Sequence, residues 1–278
     1  MTESTLEADP SLPHALRLAR QALEVPPSGL LTDFDGTLSE VADEPGLARL
    51  VDGAAAALVA VDARLQVVAV ITGRASADAR RLIGIPSLLI VGNHGAEWLE
   101  PGLDTPMTAR DAESTAARLD AVLAVVPTSP GVIVEHKRLS ATIHYRNASD
   151  PDASRAAILD ALATTASDEA GVSVGEGRMS VELRPLGLAD KGSAARSIIE
   201  REGLAGVVVM GDDVTDLDMF RAVAELRAGG RIRAAIIAVG GADREVPAKV
   251  SEAADVTLQG PRSVVDLLVA LGKDPLSA

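Results

Sequence analysis

Short apolar runs alternate with amphipathic segments in two separate stretches of this chain. In the first stretch, strand candidates at Leu30–Asp33, Leu65–Ile71 and Leu88–Val91 are separated by helix candidates at Gly53–Val61 and Ser76–Ile83. This alternation predicts a doubly wound parallel sheet, a Rossmann-like α/β core. It resumes after the inserted segment described next, with elements predicted over residues 191–200, 207–210, 216–224, 234–239 and 263–271.

The segment between these stretches follows a different order. One helix candidate precedes two adjacent strand candidates, and a second helix candidate precedes two more, over residues 108–125, 131–136, 140–146, 154–166, 171–175 and 179–184. This order predicts a small antiparallel sheet covered by two helices. We therefore expect residues 1–106 and 184–278 to form the core, with residues 107–183 inserted as an α+β cap domain. The segment before the first strand candidate is predicted to be a peripheral helix.

Composition excludes several classes of function. The 278-residue chain has 26 basic and 40 acidic residues and a formal net charge of −14, which argues against nucleic acid as a partner. Because it has no cysteine, it has no disulfide, thiolate zinc site or cysteine nucleophile. No uncharged apolar run approaches the ~18 residues of a membrane span, and the N-terminus lacks a signal-sequence pattern. A soluble, cytoplasmic, monomeric protein is therefore expected.

The pentapeptide Asp33-Phe34-Asp35-Gly36-Thr37 directly follows the first strand candidate. If the chain turns at Gly36, both carboxylates can face the crevice beyond the carboxyl edge of the sheet, where open α/β folds bind ligands. In that position one carboxylate can attack phosphorus or hold a metal while the other moves a proton. The alternative is a solvated Asp–Gly turn.

Two further positions favour an anionic ligand. Thr72 and Gly73 follow the second strand candidate, where a hydroxyl and a backbone N–H beside a helix start can hold phosphate. An ordinary Thr–Gly turn is the alternative. Lys191 begins a predicted helix, against the helix dipole, which favours an anionic partner such as Asp33 and a bound phosphate. A solvated surface lysine is the alternative there.

The loop after the strand candidate at 207–210 is rich in carboxylates, with sequence Gly211-Asp212-Asp213-Val214-Thr215-Asp216-Leu217-Asp218. So many carboxylates repel one another unless a cation compensates. Oxygen ligands without histidine or cysteine favour Mg²⁺. A Ca²⁺-type loop, or capping of the next helix by Asp216 and Asp218, is the alternative.

Together these segments carry a family resemblance. Four segments resemble, in order and in strand-end context, the motifs of the haloacid dehalogenase (HAD) superfamily: Asp33–Thr37, Thr72, Lys191 and Gly211–Asp213. Within that superfamily the chain resembles the trehalose-6-phosphate phosphatases, through residues 92–97, 134–146, 181–185 and 211–220. One residue departs from the pattern: Leu217 stands where the family usually has glutamate.

The resemblance implies a role for each acidic residue. Asp33 would attack phosphorus and become an aspartyl phosphate, while Asp35 would protonate the leaving sugar oxygen and then activate water. A Mg²⁺ ion would be held by Asp33, the Asp35 backbone carbonyl and Asp212, with Asp213 or Asp216 reaching it through water. The Leu217 position lies outside these assigned ligands.

The resemblance also implies the substrate contacts. Phosphoryl oxygens would be bound by Thr72, Gly73 and Lys191. Sugar hydroxyls, which charged groups bind strongly, would be bound by the cap residues Glu135, Lys137, Arg146 and Glu182. Solvated strand faces are the alternative for these four residues. His94 is either a substrate contact or a loop histidine with a structural role.

The implied function is Mg²⁺-dependent hydrolysis of trehalose 6-phosphate to trehalose and phosphate, in trehalose biosynthesis. Capped phosphatases acting on sucrose 6-phosphate or a hexosyl-3-phosphoglycerate share the core motifs and stay open as alternatives. From a different class, a catalytically silent sugar-phosphate sensor is also considered. The presence of Asp33, Asp35, Lys191 and Asp212 together argues against a silent protein.

Overall fold

The computed structural model of this protein describes residues 9–40, 45–108, 112–163, 171–177, 179–185, 189–240 and 246–273. It separates into two compact units, one of Met1–Pro106 with Ala189–Ala278 and one of Met107–Leu188. The second unit extends beyond the predicted junction at residue 183, because the strand Ser180–Pro185 pairs within it.

Secondary structure alternates along the chain much as the apolar pattern predicts. The strands are β1 (Ser28–Thr32), β2 (Val67–Ile71), β3 (Leu89–Gly92), β4 (Glu97–Leu99), β5 (Met107–Thr108), β6 (Ile133–His136), β7 (Ala141–His144), β8 (Val172–Gly177), β9 (Ser180–Pro185), β10 (Gly206–Gly211), β11 (Arg233–Val239) and β12 (Val256–Leu258). The α-helices are α1 (Leu12–Leu23), α2 (Ala54–Asp62), α3 (Ser76–Ile83), α4 (Ala112–Leu123), α5 (Pro151–Ala163), α6 (Lys191–Arg201), α7 (Leu217–Ala228), α8 (Ala248–Glu252) and α9 (Pro261–Lys273).

The first unit is built on a sheet with the strand order β12-β11-β10-β1-β2-β3-β4. Neighbouring strands are parallel except β3 and β4, which are antiparallel. Successive residues of β1 point to opposite faces: Leu30 packs with α1, α2 and α9, whereas Leu31 packs with α6 and α7. Since helices cover both faces, the inner residues of the central strands β1, β2, β3 and β10 are apolar, as in other doubly wound sheets. The predicted α/β core is confirmed.

The N-terminal helix α1 has a larger role than the peripheral one that the sequence predicts. Its buried face consists of Ala15, Ala19, Ala22 and Leu23. These residues join the cluster that contains β1, β10 and α9. Small side chains at this spacing allow the helix to approach the sheet closely, so α1 is part of the core.

The second unit is an antiparallel sheet with the strand order β6-β7-β9-β8. One face is apolar and packs on α4 and α5, through Ala141, Ile143, Val181 and Leu183. The alternation predicted for β7 is observed, so Thr142 and His144 lie on the other face. This unit therefore has the predicted α+β organisation.

The parallel strands of the first unit end at a common edge. Thr32 of β1 pairs with Met210 of β10, and the Asp33 N–H donates to the Met210 carbonyl at 3.0 Å. The residues that follow β1, β2 and β10 are therefore neighbours in space. Among the described residues, none of the helices has the length and apolar character needed to cross a membrane.

Candidate active site

Lys191 lies at the centre of the charged groups at this edge. It is the first residue of α6, whose N-cap Asp190 accepts a hydrogen bond from the Ser193 N–H. The Lys191 Nζ donates to Asp33 Oδ1 at 2.7 Å and to Asp216 Oδ1 at 2.6 Å. Its side chain is 3% exposed. The unfavourable position of a lysine at a helix start is thus offset by two buried carboxylates.

Burial and charge both act on this group of side chains. Burial raises the pKa of Asp33 to about 7; Lys191 opposes this rise, whereas Asp216 and Asp35 add to it. Burial by itself would lower the pKa of Lys191, but Asp216 and Asp33 outweigh it and hold that pKa above its usual range. The ammonium is therefore charged at neutral pH, and its charge is shared between two carboxylates.

Asp216 organises the acidic loop as well as pairing with Lys191. Its Oδ2 accepts hydrogen bonds from the backbone N–H groups of Asp212, at 3.0 Å, and Asp213, at 3.1 Å. Gly211 permits this fold of the loop, because a Cβ at that position would lie 2.5 Å from the Asp216 Cγ. The sequence assigns helix capping to Asp216 and Asp218, but Asp216, at the N-cap of α7, makes no side-chain capping hydrogen bond there. Asp213 instead caps the short 3-10 helix Val214–Asp216, by accepting from the Val214 N–H.

Three buried carboxylates of the first unit converge where a cation would be held. Oxygen atoms of Asp33, Asp212 and Asp216 all lie within 4.8 Å of one another. Three carboxyl groups meet one ammonium, that of Lys191, so acidic groups are in excess and a divalent cation would neutralise them. An all-oxygen set suits a hard ion such as Mg²⁺. The residues present therefore fit the metal that the sequence predicts.

The carboxylate of Asp35 is turned away from this cluster. It is bound by Arg74, whose Nε and Nη2 atoms lie 2.6 and 2.7 Å from the two carboxylate oxygens. The predicted turn after it is present at Gly36, whose N–H donates to the Ser39 carbonyl. The Asp35 carboxylate is not among the three that converge, and the expectation that this residue offers the metal its backbone carbonyl stays a prediction.

Thr72 and Gly73 form a short turn beneath the ring of His94. The Thr72 Oγ1 accepts from the Arg74 N–H, and the Thr72 carbonyl accepts from the His94 N–H. A Cβ at Gly73 would lie 2.6 Å from the His94 Cε1, so only glycine fits below the ring. Both His94 and Asn93 have positive φ values, 57° and 47°, which concentrates backbone strain beside the site.

The N-terminus of α3 is occupied by a side chain of the protein. Glu97, on the adjacent strand β4, accepts hydrogen bonds from the Ser76 N–H at 2.9 Å and the Ser76 Oγ at 3.0 Å. The sequence predicts that this helix start helps to hold phosphate. Glu97 therefore already binds the first N–H of this helix, and the phosphate contacts expected of Thr72 and Gly73 stay a prediction.

Glu135 and Glu182, two of the cap residues named from the sequence, lie on the polar face of the second unit's sheet. Glu135 of β6 is paired with Thr142 of β7, which is paired in turn with Glu182 of β9, so the three form one row. The Glu135 carboxylate lies 3.7 Å from the Lys137 Nζ and 3.0 Å from the His144 Nε2. The row therefore presents two partly buried carboxylates on either side of a hydroxyl.

An arginine on β9 contacts this polar row. Arg184 is two residues beyond Glu182 on β9, and its guanidinium contacts the Glu182 carboxylate. Alternation continued along the strand candidate at 140–146 would place Arg146 on the same face as His144, but the strand ends at His144 and Arg146 lies in the turn beyond it. Strand alternation therefore does not determine where Arg146 points.

Comparisons with known proteins identify the family of this chain. The family model described as trehalose-phosphatase matches residues 31–255. The chain belongs to the trehalose-phosphatase family. Trehalose-phosphate phosphatase of Mycobacterium marinum is 36% identical over 263 residues, which cover 87% of this chain and 64% of that protein. Its Mycobacterium avium counterpart is 39% identical over 204 residues, covering 69% of this chain and 50% of that protein.

The chain thus spans between half and two thirds of the length of these curated relatives. A solved structure of the C-terminal domain of C. albicans trehalose-6-phosphate phosphatase superposes with a TM-score of 0.76. The alignment covers 95% of this chain and 97% of that one at 22% identity. At that identity the likeness supports the fold: a doubly wound core with an α+β insertion.

The tertiary structure gives roles to two residues of this trehalose-phosphatase family member, Leu217 and Arg74, that the sequence left without one. Leu217, where the family usually has glutamate, is 4% exposed and packs in the cluster of α6 and α7, so it serves the core. Arg74 was given no role from the sequence, although it directly follows Thr72 and Gly73. Its position directly after the predicted phosphate-binding turn is the sequence signal by which it could have been identified as a site residue.

Proposed function

We propose that this chain hydrolyses trehalose 6-phosphate to trehalose and inorganic phosphate, in trehalose biosynthesis. The observation that carries the proposal is the buried Asp33, paired with Lys191 at the carboxyl edge of the sheet in a member of the trehalose-phosphatase family. The names of the mycobacterial relatives supply the substrate. The partner is thus a small sugar phosphate.

In the first step, an oxygen of Asp33 bonds to phosphorus while the bond from phosphorus to the sugar oxygen breaks. Asp35 gives its proton to that oxygen, so trehalose leaves as a neutral alcohol. In the second step, water attacks the aspartyl phosphate, its proton passes to Asp35, and the bond from phosphorus to Asp33 breaks. Both carboxyl groups thereby return to their starting states.

Charge neutralisation is the main work of the surrounding groups. The Lys191 ammonium, the Gly73 N–H and the Thr72 hydroxyl would bind phosphoryl oxygens. Asp33, Asp212 and the Asp35 carbonyl would hold Mg²⁺, with Asp216 or Asp213 reaching it through water. When bound, the ion would neutralise charge on the phosphoryl group and on the carboxylates.

Sugar recognition is assigned to the polar row of the second unit and to His94. Glu135 and Glu182 offer carboxylate acceptors for glucose hydroxyls, and Lys137 and Arg146 offer donors. Hydrogen bonds to charged groups are roughly twice as strong as neutral ones. A site built to bind hydroxyls also rejects phosphate esters that lack them.

The substrate assignment is tested by phosphate release in Mg²⁺ from trehalose 6-phosphate, sucrose 6-phosphate, a hexosyl-3-phosphoglycerate and p-nitrophenyl phosphate. We expect kcat/KM for trehalose 6-phosphate to exceed that for each of the other sugar phosphates by at least about a hundredfold, since several charged hydrogen bonds differ between them. A higher kcat/KM for another sugar phosphate would replace the substrate assignment while keeping the chemistry.

Separate substitution of Glu135 and Glu182 by alanine is expected to lower kcat/KM for trehalose 6-phosphate about ten- to a hundredfold, the effect of one lost charged hydrogen bond. Hydrolysis of p-nitrophenyl phosphate, which has no sugar, should be unchanged. Glu176→Ala is the control, because Glu176 lies in the same sheet but is paired with Val181, on the opposite face. Equal losses on both substrates would assign the two glutamates to the fold instead.

A further inference from the structure

Arg74 forms a two-point contact with Asp35 across 39 residues of chain. Its Nε donates to Asp35 Oδ2 at 2.6 Å and its Nη2 donates to Asp35 Oδ1 at 2.7 Å. A bidentate contact between a guanidinium and a carboxylate fixes both the position and the plane of the carboxylate. Arg74 is only 6% exposed, so its guanidinium is shielded from water, whereas the Asp35 side chain is 36% exposed and is open to solvent on its other side.

Arg74 is itself held on two other sides. Its Nη1 donates to Asp78 Oδ2 at 3.3 Å, from a residue in the first turn of α3. Its guanidinium carbon lies 5.4 Å from the centroid of the Phe34 ring, within the range of a cation–π contact. The guanidinium is thus fixed by groups other than Asp35, and it can act as a rigid support for that carboxylate.

The geometry divides the acidic residues at the sheet edge into two sets. Oxygen atoms of Asp33, Asp212 and Asp216 converge within 4.8 Å, whereas the Asp35 carboxylate is held by Arg74 outside that cluster. Without Arg74, a charged carboxylate two residues from Asp33 would be drawn to the same cation or to the Lys191 ammonium. Either contact would move the Asp35 carboxylate away from the leaving oxygen of the substrate.

We propose that Arg74 is a positioning residue that keeps the Asp35 carboxyl group out of the cation-binding cluster and oriented for proton exchange with the leaving oxygen and the attacking water. This inference rests on the proposed phosphatase chemistry but not on the identity of the sugar. Arg74 acts through Asp35, and Asp78 supports Arg74 by accepting a hydrogen bond from its Nη1.

The test compares phosphate esters whose leaving groups differ in their need for a proton. For Arg74→Gln, kcat/KM should fall about ten- to a hundredfold for phenyl phosphate, whose leaving oxygen must be protonated, because general acid catalysis contributes at least that much. The fall for 2,4-dinitrophenyl phosphate should be less than about threefold, since dinitrophenolate leaves without a proton. Asp78→Asn should show the same pattern with a smaller fall.

Two further measurements separate positioning from other roles. In an Asp35→Asn background, Arg74→Gln should cause no additional loss on phenyl phosphate, because residues that act as a unit are non-additive. Mg²⁺ affinity by titration calorimetry should be unchanged or tighter in Arg74→Gln, since a fourth carboxylate becomes available. Arg81→Gln is the control: Arg81 lies on α3, close in sequence to Arg74, and also contacts Asp78, but its side chain is 64% exposed.

Three results would overturn the inference. An equal loss on both aryl phosphates, with weaker inhibition by inorganic phosphate, would mean that Arg74 binds the phosphoryl group. Weaker Mg²⁺ binding with a lower melting temperature would make it a structural residue. A wild-type protein that hydrolyses no phosphate ester in Mg²⁺ would refute both proposals, whereas hydrolysis of aryl phosphates but not trehalose 6-phosphate would refute only the substrate.

Discussion

Replacing Asp33 with asparagine is expected to reduce turnover by several orders of magnitude, because an amide cannot serve as the nucleophile. The fold should be retained. Asparagine has nearly the same shape as aspartate, and Lys191 keeps Asp216 as its partner. The measurements are phosphate release and a thermal melt of the same preparation.

Asp266→Asn is the control for this substitution, because Asp266 is an exposed residue of α9. It should leave both rate and melting temperature unchanged. If Asp33→Asn kept more than about a tenth of the wild-type rate, Asp33 would lose the role of nucleophile, since an essential nucleophile contributes far more than tenfold. A lost rate together with a collapsed melt would instead report unfolding.

Removal of the metal is expected to have an effect of similar size. In EDTA the activity should fall to background, and Mg²⁺ should restore it, with Ca²⁺ a poor substitute because it prefers looser and higher coordination. Asp212→Ala should require at least about a hundredfold more Mg²⁺, since even residues behind the ligands change metal affinity ten- to a hundredfold.

A thermal shift gives a readout of this site that is independent of turnover. Mg²⁺ should raise the melting temperature of the wild type, because a ligand that binds only the folded state stabilises it. Asp212→Ala should lose most of this shift. In EDTA the same variant should melt at a higher temperature than the wild type, because one of three mutually repelling buried carboxylates is gone. Asp266→Ala should behave as the wild type does. Full activity in chelator would refute the metal site.

Much of the core was predictable because its signals are local. β2 and β10 are continuous apolar runs, and β1 is apolar between Ser28 and Thr32. A polar residue directly follows each of the three strands: Asp33, Thr72 and Asp212. Parallel strands end at the same edge, so these residues could be expected to meet before any coordinates were known. Lys191 could be matched to Asp33 because a lysine at a helix start needs a nearby anion.

The features that the sequence did not predict lack such local signals: the short strands β4 and β12, the role of α1 in the core, and the residue at which β7 ends. β4 and β12 have only three residues each, too few for a periodic pattern. α1 is held in the core by alanines, whose small apolar area gives a weak stripe, and its role depends on the helices and strands packed against it. The end of β7 at His144 depends on where pairing with its neighbours stops, which alternation along one strand does not specify.

The sequence by itself determined the fold class, the order of its elements and the chemical groups at the strand ends, because each depends on periodicity and residue type over a few positions. Only the tertiary structure decided how those groups are partnered. The contact between Arg74 and Asp35 joins residues 39 positions apart, and the contact of Glu97 with Ser76 joins residues 21 apart. Such pairings arise when strands and helices pack, because packing brings side chains together whatever their separation along the chain.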